Sequence, residues 1–306
     1  MRHALLLFVD GVGLGSEDPA VNPLVATPTP SLDRLLGRRL AGVAGPVRAD
    51  GALLVPLDAT LGVDGLPQSA TGQTALLTGI NAPREIGRHI TAYPTVRLKA
   101  MLAESNIFSQ VLRLGGTVAL ANAYTPEYFT AVEAGRLRHG AFTYAAISAG
   151  VRLRGLEELR TGQAIFHDLT NTRPRGWGHD VPLITPHQAG GNLARIARGH
   201  QLTVFEFFLT DMAAHRRGSL EPPAVVALLD ALLGGILADG DRRDTLFLMV
   251  SDHGNIEDDR ETRHTRNPVP ALLVGEDREA VGARLRAITD VAPALVRWLE
   301  EGMRDG

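Results

Sequence analysis

Six side chains of metal-ligating type stand in short polar clusters, most of them just after an apolar run. They are Asp10, Asp211, His215, Asp252, His253 and His264. The spacing of Asp211 and His215 puts both on one face of a helical turn. Six oxygen and nitrogen ligands suit two divalent ions such as Zn²⁺ or Mn²⁺. Paired ions commonly serve displacement at phosphorus. Each cluster alone also fits ordinary turn or capping chemistry, so the prediction depends on their joint placement.

The stretch SATGQTALLTGINAP, residues 69–83, offers a hydroxyl that could act as a nucleophile. No G-x-S-x-G motif covers it, but coordination of Ser69 to a divalent ion would favour its alkoxide without a histidine base. A helix starting near Ala70 would also aim free amides at a phosphoryl oxygen. Two alternatives stay open: Ser69 as a helix N-cap, and Thr71 as the nucleophile. We expect Thr74 to be structural.

The elements that would position these side chains alternate between strands and helices. Apolar runs predict strands at 4–9, 117–124, 202–210, 244–254 and 269–275. Helical spacing predicts helices at 104–114, 221–240 and 288–302, and Ser31 is the expected N-cap of an earlier helix. The order predicts an α/β fold with a mostly parallel central sheet flanked by helices. Ligands bind beyond the carboxyl ends of such strands, where Asp10, Asp211 and Asp252 fall.

The middle of the chain has a weaker pattern from about residue 125 to 200. Just before it, Arg84 and Arg88 follow the nucleophile stretch, and arginine suits bidentate contact with phosphate. These two arginines therefore are candidate substrate-binding residues, with solvated surface charges as the alternative. We expect Trp177 to be a packing anchor rather than a platform for substrate.

Composition narrows the class of protein. The chain has 306 residues, and its 31 lysines and arginines nearly balance 34 aspartates and glutamates, so nothing indicates binding to nucleic acid or to an anionic membrane. The absence of cysteine excludes disulfides and thiolate metal sites. No window approaches the length of an apolar spanning helix, and the N-terminal run is too short for a signal peptide. We expect a soluble, cytoplasmic protein.

The order of the motifs resembles the alkaline phosphatase superfamily, and most of all its cofactor-independent phosphoglycerate mutases and phosphopentomutases. The matching pieces are FVDGVG, TPTPSLDRL, QSATGQTALLTG, LTDMAAH, VSDHGNIED and RHTRNPVPALLVG. The resemblance implies an alkaline-phosphatase-like core at 1–83 and 196–306, with a small inserted cap-like region at 84–195. Such a cap would exclude water over a small substrate.

The same resemblance implies a role for each matching residue. Asp10, Asp252 and His253, together with Ser69, take the places of the ligands of one metal ion. Those of the other ion fall on Asp211, His215 and His264. Ser69 takes the place of the nucleophilic serine. The mutases carry asparagine and histidine where this chain has Gln68 and Gln73, so the departure concerns the reaction and not the metal ligands.

The resulting functional hypothesis is a two-metal phosphatase or phosphomutase that acts on a small phosphorylated metabolite through a phosphoserine at Ser69. Alternatives are a phosphodiesterase or a sulfatase of the same superfamily, a metal-bound phosphometabolite sensor without catalysis, and a metal-independent α/β protein. The lack of cysteine argues against the formylglycine chemistry of sulfatases. The sequence leaves the substrate, the metal and the oligomeric state open.

Overall fold

The computed structural model describes residues 1–217, 219–239 and 244–304. Its centre is one seven-stranded sheet with helices on both faces, and the strand order is β2-β3-β7-β6-β1-β5-β4. The strands are β1 (His3–Val9), β2 (Val47–Ala49), β3 (Ala52–Leu57), β4 (Val118–Leu120), β5 (Leu202–Phe207), β6 (Thr245–Val250) and β7 (Val269–Val274).

The helices pack on the two faces of this sheet. They are α1 (Pro23–Ala26), α2 (Pro30–Leu36), α3 (Ser69–Thr78), α4 (Ala82–Ile86), α5 (Val96–Glu104), α6 (Ile107–Arg113), α7 (Pro126–Glu133), α8 (Ala141–Ser148), α9 (Leu156–Arg160), α10 (Thr172–Gly176), α11 (Pro186–Arg198), α12 (Leu209–Ala214), α13 (Pro222–Asp239), α14 (Arg278–Gly282) and α15 (Val291–Arg304), with a 3₁₀ turn at Ile288–Asp290. None of the helices described is both long and apolar enough to cross a bilayer.

The sheet confirms the predicted α/β class and its mostly parallel character. Strands β6, β1, β5 and β4 are parallel neighbours, whereas β7 is antiparallel to both β6 and β3. The chain passes from β6 to β7 through a loop without a crossover helix, and such a connection returns it in the opposite direction. Strands β2 and β3, to which the sequence pattern gave no element, extend this edge of the sheet.

The segment 84–195 contributes to both the sheet and the helical layers. Its strand β4 pairs with β5 and is shorter than the predicted strand at 117–124. Phe108 of α6 and Phe142 of α8 lie in the apolar layer that also contains Phe8 of β1. The region of weak pattern also holds α11, which begins at a Thr185 cap and packs against α13.

The expected N-cap at Ser31 is wrong. Helix α2 begins at Pro30 after Thr29, and Ser31 lies within its first turn. The buried carboxylate of Asp230 on α13 accepts hydrogen bonds from the amides of Ser31 and Leu32 at 2.9–3.1 Å. The free amides of this helix are thus satisfied by a residue some 200 positions away, which local spacing does not encode.

Both faces of β1 are buried, which explains its uninterrupted apolar sequence. Leu6 and Phe8 point into one helical layer, and Leu5, Leu7 and Val9 point into the other. Val9 pairs with Phe207 of β5, and Phe8 pairs with Val250 of β6. The three strands therefore end side by side, and the polar residues after them meet at one edge.

Candidate metal centre

Asp10, Asp252 and His253 form a buried group at the ends of β1 and β6. The Nε2 atom of His253 lies 3.3 Å from Asp10 Oδ1 and 3.6 Å from Asp252 Oδ2. It is also 3.0 Å from the Oγ atom of Ser69, the first residue of α3. The three acidic and imidazole side chains present ligand atoms within 4.8 Å of one another, a spacing that a single cation can bridge.

A second group surrounds Asp211 on α12. Its Oδ1 atom lies 3.3 Å from His215 Nε2 and 3.6 Å from His264 Nε2, and the two histidine nitrogens are 3.0 Å apart. His253 stacks on His264 with ring centroids 3.6 Å apart, so it belongs by distance to both groups. All six ligand-type residues expected from the sequence thus lie together, as does Ser69.

Hydrogen bonds orient these side chains. His264 donates from Nδ1 to the carbonyl of Pro67 at 2.8 Å, which turns its Nε2 toward Asp211. Asn255 donates from Nδ2 to Asp211 Oδ1 at 3.0 Å, and Gln73 donates from Nε2 to Asp10 Oδ2 at 3.3 Å. From the sequence, Gln73 stands out only as a departure from the mutases, and Asn255 only as a polar neighbour of Asp252 and His253. Its position three residues after Asp252, in the same loop, was the signal available for it.

Glu257, to which the sequence pattern gives no role, joins the loops after β1 and β6 and the loop before β7. Its carboxylate accepts from the amides of Gly13 and Asn255 at 2.9 and 2.7 Å, and from the side chains of Thr265 and Asn267. It is 1% exposed. A Cβ atom on Gly13 would lie 2.2 Å from its Oε1 atom, so the loop after β1 needs a residue without a side chain there.

Burial and neighbouring charges shift the pKa values of the ligand-type residues. Burial raises the pKa of Asp252 well above its usual value, and the nearby Asp10 raises it further; burial also raises the pKa of Asp10. Burial disfavours the charged form of His253, but Asp252 and Asp10 outweigh it and raise its pKa to about 10. Burial and the charge of His253 lower the pKa of His264 to about 4. The metal-free site therefore retains protons that a cation would replace.

The donor set fits divalent metal ions. Neither carboxylate oxygen of Asp252 has a hydrogen-bond partner among the described residues, although the side chain is 0% exposed. Buried carboxylates are normally paired, hydrogen-bonded or bound to metal. Aspartate oxygens and histidine nitrogens are ligands of Zn²⁺ and Mn²⁺ alike, so the donor set fits both ions.

The start of α3 departs from the expectation of free amides aimed at phosphate. The carbonyl of Ile90 accepts from the amides of Ala70 and Thr71 at 3.1 and 3.4 Å, so these two donors are occupied. The hydroxyl of Thr71 donates to Gln68 O and accepts from the amide of Ile90, and that of Thr74 donates to Ala70 O. Of the hydroxyls of Ser69, Thr71 and Thr74, that of Ser69 is the one that contacts the ligand-type residues.

A cavity of about 570 Å³ lies at the end of β5, and none of the six ligand-type residues is among the described residues that line it. Its wall includes Glu206 of β5, whose pKa burial and the charge of Asp10 raise to about 8, and Met212, which follows Asp211. Trp177 also lines it and is 49% exposed, so the expected packing anchor forms a cavity wall instead. Arg84 and Arg88 are exposed and are not among the described residues that line this cavity.

Comparison with known proteins agrees with this geometry. Residues 192–299, which contain five of the six ligand-type residues, match the model of the Metalloenzyme superfamily. A 2,3-bisphosphoglycerate-independent phosphoglycerate mutase from Rhodopseudomonas palustris is 37% identical over 128 residues, which cover 39% of this chain and 24% of the mutase. The chain thus matches about a quarter of the length of that relative.

Solved structures share the fold over nearly the whole chain. The PH0037 protein from Pyrococcus horikoshii has a TM-score of 0.56 at 14% identity, covering 98% of this chain and 97% of the other. Alkaline phosphatase from the Antarctic bacterium TAB5 has a TM-score of 0.50 at 12% identity, covering 98% of each chain. Residues 192–299 therefore match the Metalloenzyme superfamily, and the chain that carries them shares its fold with the TAB5 alkaline phosphatase.

Proposed function

We propose that this chain is a two-metal phosphoryl-transfer enzyme, of phosphatase or phosphomutase type, acting on a small phosphorylated metabolite. The observation that carries the proposal is the position of Ser69. Its hydroxyl lies 3.0 Å from His253 Nε2, beside a buried set of ligand-type residues, and Ser69 itself is only half-buried. The mutase relatives and the alkaline-phosphatase fold support the same class of reaction.

The proposed ligands divide into two sets. Asp10, Asp252, His253 and Ser69 would hold one ion, and Asp211, His215 and His264 would hold the other. Bound divalent ions would neutralise the carboxylates, favour the Ser69 alkoxide and stabilise the charge of the transferring phosphoryl group. His253 lies near both sets, and we assign it to the first, where its Nε2 atom contacts Asp10 and Ser69.

The residues of the chain then carry out two steps. Ser69 Oγ attacks phosphorus, the bond from phosphorus to the leaving oxygen breaks, and a phosphoserine forms. Water, or a hydroxyl of a second substrate, next takes the phosphoryl group and restores Ser69. Gln73 and Asn255 hold Asp10 and Asp211 in place throughout.

The segment 84–195 would supply the cover of the site. Residues from Tyr93 to Trp177 form most of the cavity wall, opposite Glu206, Phe208 and Met212 of the core. A wall of this kind excludes water from a small substrate, which favours transfer over hydrolysis. Arg84 and Arg88, exposed at the start of this segment, would contact phosphate only while substrate enters.

Substitution of Ser69 by alanine tests the proposal. We expect turnover to fall at least about a thousandfold and the phosphoenzyme to disappear, because no other described hydroxyl takes its place. The measurement is turnover and mass-detected phosphoserine on a panel of sugar phosphates, phosphoglycerates and diesters, with Zn²⁺ or Mn²⁺ restored. Retained turnover in Ser69→Ala would overturn the assignment.

Thr71→Ser is the matched control, because serine can keep both hydrogen bonds of the Thr71 hydroxyl. It should retain phosphoenzyme formation and metal content. The products of the panel, run with and without an activating bisphosphate, separate the two reaction types. A phosphorylated isomer formed without net release of phosphate identifies a mutase, whether or not it needs the bisphosphate, and release of free phosphate identifies a hydrolase.

A further inference from the structure

We propose that the cavity beside the metal centre binds a planar aromatic group, which is the organic part of the phosphorylated substrate. This inference rests on the proposed function and names its substrate class. The volume of about 570 Å³ lies within the range of small-molecule sites. What distinguishes the cavity is its wall, which consists largely of aromatic rings: Tyr93, Tyr124, Tyr128, Phe166, Trp177 and Phe208.

The aromatic rings that line the cavity pack against one another in tilted or edge-to-face pairs. Phe166 and Trp177 meet edge to face with centroids 6.0 Å apart, and His167 lies against Phe208 at 5.1 Å. Tyr124 and Tyr128 form a second pair at 4.9 Å. Aromatic rings prefer offset and edge-to-face contacts of this kind. A flat aromatic ring of a ligand can therefore pack between these pairs without a polar partner of its own.

Most polar groups of the wall already have partners in the protein. The hydroxyl of Tyr124 is 2.7 Å from Thr143 Oγ1, and that of Tyr128 is 2.8 Å from His139 Nδ1. Asn122 uses its side-chain amide on the backbone of Glu206, both as donor and as acceptor. A polyhydroxylated sugar would therefore find few free hydrogen-bonding groups here.

The charges of the wall offer little attraction to an anionic organic part. Burial raises the pKa of Glu206 to about 8 and lowers that of His167 to about 4, so neither adds much charge near neutral pH. Among the described lining residues this leaves Glu127 against Arg138, whose guanidinium lies 5.8 Å from the ring centroid of Tyr93. The carboxylate of a phosphoglycerate would thus meet no surplus of positive charge in this wall.

The cavity lies at the same edge of the sheet as the metal centre. Met212 of its wall follows Asp211 on α12, and Glu206 of its wall is close enough to Asp10 for the two charges to interact. Tyr93 is 37% and Trp177 49% exposed, so both rings are accessible to an incoming ligand. A substrate with its phosphate at Ser69 would extend its organic part toward this cavity.

Binding can be tested without catalysis by using Ser69→Ala and a phosphate-free probe, 4-nitrobenzyl alcohol. The chain has two tryptophans, and Trp298 is 4% exposed, so Trp177 would give most of any quenching. We expect saturable quenching that Trp177→Phe removes. Leu183→Ala, which changes an exposed apolar residue outside the cavity wall, is the control and should leave the saturation curve unchanged.

Turnover provides the second test, with esters that all leave as alkoxides. We expect kcat/KM to be at least about tenfold higher for 2-phenylethyl phosphate than for propyl phosphate or 3-phosphoglycerate, and Trp177→Ala to reduce this ratio several-fold. An equal or reversed ratio, together with quenching that never saturates, would overturn the aromatic site while phosphoserine formation preserved the proposed function. Saturable quenching without phosphoserine from any ester would overturn the proposed function and leave the aromatic site standing.

Discussion

Gln73 and Asn255 set the orientation of two acidic ligands that would otherwise rotate freely. Gln73 donates from the buried side of α3 to Asp10, and Asn255 donates to Asp211. Gln73 occupies Asp10 Oδ2 and leaves Oδ1, which faces His253, for a cation. Asn255 instead contacts Asp211 Oδ1, the oxygen that also faces His215 and His264. Partners of this kind also hold ligands in the protonation state that metal needs.

Replacing Gln73 by leucine should weaken metal binding at the Asp10 site by about 10- to 100-fold, the usual effect of losing such a partner. Leucine has a similar size, so the apolar surroundings of α3 are kept. The measurement is competition with a chelator, with the unfolding midpoint of the metal-free variant as a check on the fold. Unchanged affinity for both ions would contradict a role for Gln73 in the site.

The predicted ligands could be found from sequence because parallel strands end at a common edge, which places Asp10, Asp211 and Asp252 together. The hydrogen bonds from the first amides of α3 to the carbonyl of Ile90 could not be predicted, because no local pattern indicates which distant carbonyl accepts from the start of a helix. The same holds for Asp230 and α2. The aromatic cavity escaped prediction too, since its rings come from segments without a clear pattern.

At the scale of the elements, the loops after β1 and β6 and the loop before β7 are held together by hydrogen bonds to one another. Glu257 accepts four hydrogen bonds from them, and Ser251 accepts from the amide of Val12 while donating to the carbonyl of His253. Thr265 donates its amide to Gly254. The three loops therefore form one cross-linked unit, and displacement of one would move ligands in the others.

Glu257→Ala should destabilise the protein by about 3 kcal/mol, because it leaves four donors in a buried region without their acceptor. It should also weaken metal binding, since His264 and His253 lose their support. Urea unfolding of the metal-free protein measures the first effect. The control is Glu279→Ala, which removes an exposed ion pair with Arg48 and should change stability by less than about 1 kcal/mol. Equal effects of the two variants would contradict the linking role.

At the scale of the whole molecule, the metal centre is the place where folding buries side chains that carry charge. Asp10 and Asp252 are buried with raised pKa values, and the pKa of His253 is raised to about 10 from an ordinary value near 6.5. In all three cases the folded state holds protons more tightly than the unfolded chain. The stabilisation from the His253 proton is complete below pH 6.5 and is lost as the pH rises through about 10.

We therefore expect the free energy of unfolding of the metal-free protein to fall between pH 6.5 and about 10, and added Zn²⁺ or Mn²⁺ to raise the Tm more at the alkaline end. Metal replaces the protons, so the loaded protein should vary less with pH. Thermal unfolding with and without chelator, across this range, measures both. In the metal-free His253→Gln variant the slope should become shallower; an unchanged slope would assign it to other groups.

The place of β1 at the middle of the sheet has a consequence for synthesis. Its neighbours β5 and β6 begin about 200 and 240 residues later, so both edges of β1 stay unpaired until most of the chain has left the ribosome. Contacts of such long range form slowly, and exposed apolar strands invite aggregation meanwhile. Asp10 and Asp252 come together only after β1 has paired with β6. Metal ions consequently have no complete site on the nascent chain, and their binding belongs to the last stage of folding.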